Sequence, residues 1–371
     1  MRSNHELWMN QALALARRGA GLTRPNPPVG AVVVRRGRLA GQGWHRGAGR
    51  PHAEALALAA AGRQARGATL YVTLEPCCTQ GRTPPCTRAI VAAGIKTVVA
   101  AVRDPNPRHQ GRGFEQLRQA GVQAIEGVGR DEARELIAPF AKWICRARPY
   151  LTLKLAMTLD GKIADRRGQS RWITGPAARR EAQALRRSAD AILVGAGTVR
   201  ADNPSLLPRP ALGRRPWRVA VDSRGTLAGD YKILQPPDAA RTIMATTRHC
   251  PAKIRAGWQA AGAQVWVLPA ARGRVSLPAL FRRLGAMGVL HTVCEGGGEL
   301  AAALIRARLV DEYRFFIAPR FLGGKTAPGA VGGPGWPLQS APELVFTDCR
   351  QVGRDILLQA HPARKAGCGR R

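Results

Sequence analysis

Two short stretches of this chain carry residues that can do chemistry together. One is Pro51-His52-Ala53-Glu54; the other runs from Glu75-Pro76-Cys77 to Pro84-Pro85-Cys86. They offer an imidazole, two thiols and a carboxylate. A His/Cys/Cys set holds Zn²⁺, and a glutamate that is not a ligand moves protons, in zinc deaminases of nucleobases. Three protein ligands leave one tetrahedral position for water, the mark of a catalytic rather than a structural zinc. His52, Cys77 and Cys86 are therefore the expected metal ligands and Glu54 the expected proton carrier. Core cysteines with a surface histidine are the bland alternative, but the order of the residues around one expected strand favours the metal. The eight residues between the thiols (78–85) depart from the commoner Cys-x-x-Cys spacing and must form a loop. Cys78 competes with Cys77 for the ligand role. Pro76-Cys77 fits the motif register, which leaves Cys78 as a free thiol.

These groups need particular elements beneath them. His52 and Glu54 stand at the start of an apolar run, Ala53 to Ala61, that reads as a helix stopped by Gly62. Thr69 to Thr73 reads as a strand delivering Glu75-Pro76-Cys77 at its end, and Cys86 opens a second helical run that Gly94 stops. Helix N-termini favour thiolate and hydroxide. Around this centre the sequence predicts a helix over Asn4 to Arg18 with Asn4 as N-cap and Gly19 as stop. A hairpin of Gly30–Val34 and Leu39–Gly43 turns at Arg36-Gly37. A strand at Thr97–Ala101 precedes the loop Asp104-Pro105-Asn106-Pro107. Then follow a helix at Phe114–Ala120, a strand at Val122–Glu126, and a helix at Asp131–Arg146 interrupted near Pro139. The sum is a mixed sheet with helices on both faces and the metal at helix starts on one edge.

Beyond Arg148-Pro149 a second α/β unit begins with a strand, Tyr150 to Met157, and the turn Asp160-Gly161-Lys162. Further strands are expected at Ala191–Val194, Trp217–Val221, Thr242–Thr246, Gln264–Leu268, Leu290–Cys294 and Tyr313–Ile317, with helices at Ala177–Arg187 and Glu299–Leu309. Gly296-Gly297-Gly298 before a helix has the form that cradles phosphate, though it matches neither Gly-x-Gly-x-x-Gly nor a P-loop, and a glycine turn without ligand reads equally well. Gly195-Ala196-Gly197-Thr198 offers a second close-approach turn at a strand end, where open α/β sheets bind ligands. Two such turns favour a nucleotide.

The domains expected are residues 1–147, 148–361 and a basic tail, 362–371, without fixed structure. At 371 residues and 45% hydrophobic the chain can bury two cores. No stretch has the apolar length of a membrane span, and the N-terminus lacks the apolar segment of a signal peptide, so a cytoplasmic location is expected. Its eight cysteines form no disulfide framework. A net charge of +34 usually points to nucleic acid, but the basic residues are mostly Arg, spread without blocks, and aromatics are only 5%. A solvated basic surface that attracts phosphorylated substrates is the preferred reading.

His52-Ala53-Glu54, Thr73-Leu74-Glu75-Pro76-Cys77 and Gly81-Arg82-Thr83-Pro84-Pro85-Cys86 closely resemble the bifunctional riboflavin-biosynthesis enzyme, a pyrimidine deaminase fused to a reductase. Its long Cys-to-Cys loop is shared, as are Pro25-Asn26-Pro27 and Gly43-Trp44-His45. In the second half, Ser170-Arg171-Trp172-Ile173-Thr174, Gly197-Thr198-Val199, Ala201-Asp202-Asn203-Pro204, Val221-Asp222-Ser223 and Glu295-Gly296-Gly297 look like the reductase. The resemblance implies a cytidine-deaminase-like α/β/α domain followed by a dihydrofolate-reductase-like α/β domain. It implies zinc and NADPH as cofactors. The implied reactions are hydrolytic removal of the 2-amino group of a diaminopyrimidine ribosyl phosphate and reduction of the ribosyl to the ribityl group. By position it places Asn26 and His45 near the pyrimidine. Ala156, Trp172, Thr198, Asp202, Ser223, Gly297 and Gly298 would contact NADPH; Ser170, Arg186, Leu206, Arg209 and Glu295 would contact substrate. One departure stands out: family members usually carry Ser-His after the first zinc Cys, where this chain has Cys78-Thr79.

Some assignments come from the residues themselves. Arg82, in the loop between the thiols, suits the substrate 5′-phosphate, and Arg224 suits the 2′-phosphate of NADPH. Lys154 lies two residues before Ala156 on one strand, so both side chains face the same way, and Lys154 is the expected proton donor of the reduction. A structural ion pair of Lys154 with Glu295 is the alternative. The expected partners are a small phosphorylated pyrimidine and further copies of this chain, with no membrane and no nucleic acid. Two rival readings share the zinc motif: a tRNA or nucleoside deaminase with an accessory domain, and a non-catalytic RNA-binding protein on a deaminase fold. The nucleotide-type second half argues against the first, and the complete zinc set with Glu54 against the second.

Overall fold

The computed structural model describes residues 4–210 and 215–363. The chain divides into two compact units between Ala147 and Arg148.

The first unit starts with helix α1 (Asn4–Arg17), strands β1 (Gly30–Arg35) and β2 (Arg38–Trp44), helix α2 (Ala53–Ala61) and strand β3 (Thr69–Val72). Helix α3 (Cys86–Ala92), strand β4 (Thr97–Ala100), helix α4 (Arg112–Gln119), strand β5 (Gln123–Glu126) and helix α5 (Arg130–Arg146) complete it. The sheet order is β2-β1-β3-β4-β5. β1 is antiparallel to both neighbours, and β3, β4 and β5 run parallel. Arg36 and Gly37 both have positive φ, 49° and 72°, the geometry whose twist suits a two-residue hairpin. Alternate strand residues serve opposite layers. Ala31 and Val33 pack with α2, α3 and α4 through Ala57, Ile90 and Phe114, while Val32 and Val34 pack with α1 through Met9 and Leu13.

Gly41 and Gly43 let α2 lie directly on β2: a Cβ at Gly41 would stand 2.3 Å from the Ala57 carbonyl oxygen, and one at Gly43 2.7 Å from that of Ala53. That close approach fixes the helix start that carries His52. Two expectations need correction. Asn4 already lies inside α1 rather than capping it, and α5 runs unbroken through Pro139. The proline removes one backbone bond, but Ala133, Ile137 and Phe140 are buried on either side of it, so one buried face runs through both halves.

The second unit opens with strand β6 (Tyr150–Thr158), helix α6 (Pro176–Ser188), strand β7 (Ala191–Gly195), helix α7 (Ala196–Asp202) and strands β8 (Trp217–Val221) and β9 (Thr242–Thr246). Helix α8 (Ala252–Ala260), strand β10 (Gln264–Val267), the short hairpin β11 (Ala270–Ala271) and β12 (Arg274–Val275), and helix α9 (Leu277–Ala286) follow. Strand β13 (His291–Cys294), helix α10 (Gly298–Arg306) and strands β14 (Glu312–Ala318), β15 (Leu344–Val352) and β16 (Asp355–Pro362) end it. Nine strands form one sheet in the order β10-β9-β8-β7-β13-β6-β14-β16-β15. β10 through β14 in that order are parallel, and β16 and β15 add antiparallel strands at one edge.

Both faces of this sheet are covered, which is why its parallel strands read as near-continuous apolar runs. Leu151, Leu153, Leu193 and Val219 pack under α9 and α10; Ile192, Val194, Ala220 and Met244 pack under α6, α7 and α8. Helices α8 and α9, the hairpin β11–β12 and strands β15 and β16 were not anticipated. Pro362 and Ala363, expected in the tail, have fixed places: Pro362 ends β16 and the Ala363 N–H donates to the Glu343 carbonyl at 2.9 Å; residues 364–371 lie outside the described residues.

Candidate functional site

The first unit brings its four expected groups together. His52 is the N-cap of α2, Cys86 is the first residue of α3, and Cys77 lies on the loop after β3. The donor atoms of His52, Cys77 and Cys86 all lie within 4.8 Å of one another. His52 Nδ1 is 3.5 Å from Cys77 Sγ and 3.3 Å from Cys86 Sγ, and the Cys86 N–H points at Cys77 Sγ from 3.3 Å. One nitrogen and two sulfurs converging on a point are a zinc donor set by type and spacing. The other imidazole nitrogen, Nε2, lies 3.3 Å from the Thr83 hydroxyl, the kind of outer partner that fixes a ligand ring's orientation. Hydrogen bonds from Cys86 and then His52 hold the Cys77 thiol down at about 4 despite burial, while the bond to Cys77 and burial push Cys86 up.

Glu54 sits in the first turn of α2 and is 4% exposed. Burial, followed by the nearby Cys77, pushes its carboxyl up to about 7. A carboxyl poised there both takes and gives protons at neutral pH. Cys78 turns away from the cluster: its Sγ lies 3.3 Å from His109 Nδ1.

A cavity of about 360 Å³ opens onto this centre. Asn26, His45, Glu54, Arg82 and Trp143 are among its lining residues. His45 donates from Nδ1 to the Pro51 carbonyl (3.2 Å), so its Nε2 accepts from the Asn26 amide at 3.1 Å. Burial lowers its pKa and keeps the ring neutral. Arg82 lines the same cavity from an exposed loop, and Thr79 lines it too.

Asp104, Asn106 and His109 also line the cavity wall and were not among the expected site residues; the sequence offered only the turn composition of Asp104-Pro105-Asn106-Pro107 as a signal. Glu75, quoted only as motif context, turns out to hold that wall. Its carboxylate accepts the N–H groups of Asp104 (3.0 Å), Gly111 (2.9 Å) and Gly113 (2.8 Å).

In the second unit Ser223 follows β8, Glu295 and Gly297 follow β13, Thr198 lies in α7 just past β7, and Lys154 and Ala156 lie on β6. Glu295, just past β13, accepts a bidentate pair from Arg186, Nε to Oε1 (2.6 Å) and Nη2 to Oε2 (2.9 Å), and Lys154 Nζ stands 3.9 Å from the same Oε2. Lys154 and Arg186 are 16% and 17% exposed and Glu295 10%, so three charges share one half-closed site. Burial lowers the Lys154 pKa against the pull of Glu295; burial raises that of Glu295, but the two cations outweigh it and bring it below its ordinary value.

The two glycine turns meet. The Gly297 N–H donates to Thr198 Oγ1 at 3.0 Å, and Gly195-Ala196 leads straight into α7 rather than forming a free turn. Gly298 has a packing reason to be glycine, since a Cβ there would stand 2.5 Å from the Gly329 carbonyl oxygen. Ser170 donates to Asp202 Oδ1 at 2.8 Å, and Ser223 Oγ accepts from the Val275 N–H at 2.9 Å. Trp172 is 63% exposed with the Arg179 guanidinium 4.7 Å from its ring centroid, and Arg224 is exposed as well.

Leu206, expected at the substrate, is instead a core residue: it is 2% exposed, at φ 58°, and packs with Val194, Val199 and Ala220. Arg209 is exposed, its N–H bound to Gln183 and its carbonyl to Arg187. Ala156, half-buried on β6, packs against the core layer that contains Phe316.

Fold and site together define a protein with a zinc-type nucleotide-deaminase unit ahead of a doubly wound ligand-binding unit. The comparisons agree. Residues 2–102 match the cytidine and deoxycytidylate deaminase zinc-binding region, and residues 149–358 match the RibD C-terminal domain. The riboflavin biosynthesis protein RibD of Bacillus amyloliquefaciens is 42% identical over 96% of each chain, and that of Escherichia coli (strain K12) is 41% identical over 95% of this chain and 98% of its own. Solved structures of RibD from Acinetobacter baumannii (36% identity) and of the diaminohydroxyphosphoribosylaminopyrimidine deaminase/5-amino-6-(5-phosphoribosylamino)uracil reductase of Thermotoga maritima (35%) each cover 97% of this chain and 99% of their own, both with a TM-score of 0.85. The chain belongs to the RibD family of riboflavin-biosynthesis proteins. It is a two-reaction enzyme, a deaminase followed by a reductase, and its relatives span both halves, which sets aside the RNA-directed readings. No helix among the described residues is long and apolar enough to cross a membrane.

Proposed function

We propose that the first unit hydrolyses the 2-amino group of 2,5-diamino-6-(5-phosphoribosylamino)pyrimidin-4(3H)-one, and that the second reduces the resulting 5-amino-6-(5-phosphoribosylamino)uracil to its ribityl form with NADPH. The observation that carries this reading is the His52, Cys77 and Cys86 cluster beside buried Glu54, facing a cavity of nucleotide-base size.

His52 Nδ1 and the Cys77 and Cys86 sulfurs would hold zinc, with Thr83 orienting the imidazole. Zinc bound there supplies a polarising charge that lowers the pKa of water toward neutrality. Glu54 takes a proton from the attacking water and passes it to the ring nitrogen; it then takes the proton of the added hydroxyl and gives it to the departing amine, so the ring carbon keeps a carbonyl oxygen and ammonia leaves. Its pKa of about 7 suits both directions. Asn26 and neutral His45 form one hydrogen-bonded pair in the pyrimidine pocket, and Arg82 reaches the 5′-phosphate from the loop.

In the second unit Ala156, Trp172, Thr198, Asp202, Ser223, Gly297 and Gly298 border the cofactor, with Arg224 at its 2′-phosphate. NADPH supplies the hydride for the ribose C1′ carbon. Lys154 gives the proton that the sugar nitrogen or ring oxygen needs, and its lowered pKa suits a donor. Arg186 and Glu295 orient the ribosyl group, with Ser170 and Arg209 at the margin. Further copies of the chain complete the working oligomer.

The test incubates zinc-loaded protein with the diaminopyrimidine substrate, with and without NADPH, following ammonia and cofactor absorbance separately. Ammonia should appear without NADPH, and NADPH should be consumed only after ammonia has formed. Cofactor consumption with no ammonia would overturn the assignment.

A further inference from the structure

His109 lies on the wall of the deaminase cavity, and nothing in the reading above gives it a task. The residue is 9% exposed. The Cys78 backbone N–H donates to His109 Nδ1 at 3.5 Å, and Cys78 Sγ lies 3.3 Å from the same nitrogen. A backbone N–H can only donate, so Nδ1 is the accepting nitrogen and the neutral ring carries its proton on Nε2. Among the described residues Nε2 has no hydrogen-bond partner, although the ring lines the cavity.

The loop that carries the ring is held on both sides. Glu75 accepts the N–H groups of Asp104 and Gly111, and Asp104 Oδ1 accepts that of Asn106 at 2.8 Å. The His109 N–H closes a turn onto the Asn106 carbonyl at 2.9 Å. The donor is thus fixed in place before any ligand arrives, which is what a binding group requires. A ring donor on a cavity wall, left without a protein acceptor, is open to water or to a ligand oxygen.

We propose that His109 is a substrate-binding residue of the deaminase site, donating from Nε2 to an acceptor oxygen of the phosphoribosylaminopyrimidine, with Cys78 setting its tautomer. The inference rests on the deaminase reading of this cavity. It also gives Cys78 a role apart from the metal.

The experiment compares wild-type, His109→Phe and His109→Gln proteins, each checked for one zinc per chain and for unaltered reductase turnover on the deaminated product. Ammonia release should show KM raised about tenfold in His109→Phe with kcat changed less than threefold, because the lost bond serves ground and transition states alike. His109→Gln, which keeps a donor, should recover part of that loss. A parallel series on the dephosphorylated substrate identifies the oxygen: an equal loss marks a carbonyl or sugar oxygen, and no loss marks the phosphate. KM within twofold of wild type in both variants, with zinc intact, overturns the proposal. So does loss of zinc in both, which would make His109 a support for the loop. Absence of ammonia release by zinc-loaded wild type would instead overturn the deaminase reading.

Discussion

Removing the Glu295 charge should be among the most damaging single changes in the second unit. The carboxylate faces Arg186 at 2.6 and 2.9 Å and Lys154 at 3.9 Å. With Glu295 ionised the cluster carries one net positive charge; in Glu295→Gln it carries two, inside a site where no member is more than 17% exposed. Stranding a buried charge costs about 3–5 kcal/mol. For a unit of this size each kcal/mol moves the midpoint by about 2–4 °C, so the reductase transition should fall by roughly 6–20 °C.

Lys154→Met makes the opposite change. It removes the excess cation and leaves the bidentate Arg186–Glu295 pair neutral, so stability should stay within about 1 kcal/mol of wild type. NADPH oxidation should nevertheless vanish while ammonia release continues. Calorimetry would resolve the two transitions, the deaminase one being that which shifts on chelation. The Glu295 effect also has a pH signature. Its folded pKa lies below its ordinary value, so the stabilisation is present above the ordinary carboxylate range and is lost as pH falls through the depressed value. The gap between wild type and Glu295→Gln should close in that window. A drop of less than about 3 °C for Glu295→Gln at neutral pH would refute the reasoning, and so would normal NADPH oxidation in Lys154→Met, which would make Lys154 structural.

Three further outcomes follow from the first unit. Metal analysis should find about one zinc per chain, emptied by Ala at His52, Cys77 or Cys86 but kept in Cys78→Ala; retention in Cys77→Ala would reassign the ligand. Glu54→Gln should bind zinc normally and lose deamination by about two to four orders of magnitude, and near-normal ammonia release would remove its proton-carrying role. Arg82→Ala should raise KM more than it lowers kcat, and an unchanged KM would place the phosphate elsewhere.

The two units differed in how far they could be read from sequence. Helix α2, its stop at Gly62, the turn at Arg36-Gly37 and strands β8 and β9 follow directly from local pattern and turn residues. β15 escaped because it is an edge strand with mostly exposed residues, Phe346 at 66% among them, so no apolar alternation marks it. α9 carried a usable signal, Leu277, Leu280, Phe281 and Leu284 on one face after Ser276, that went unread. Cys77 and Cys78 could not be separated by periodicity, since both sit on a loop. Their roles diverge because one side chain meets His52 and the other meets His109. Glu75 was hidden for a related reason: its partners are backbone N–H groups 29 to 38 residues away.

Chemistry explains why the metal centre was legible and the cofactor site much less so. Thiols and imidazoles are scarce, and few tasks want two of one and one of the other, so residue type alone narrows the function. A dinucleotide is held mainly by backbone groups, small residues and hydroxyls that every domain contains. Their meaning comes from register. Thr198 matters because it lies in the first turn of α7, just past β7, which pairs with β13; there it takes the Gly297 N–H and ties the two turns together. The same bond uses up a donor that a phosphate would have sought. Gly298 is likewise accounted for by the Gly329 carbonyl against it. Packing and this bond therefore account for two glycines of the triplet without a ligand, whereas the charges nearby are those of the Lys154, Arg186 and Glu295 cluster.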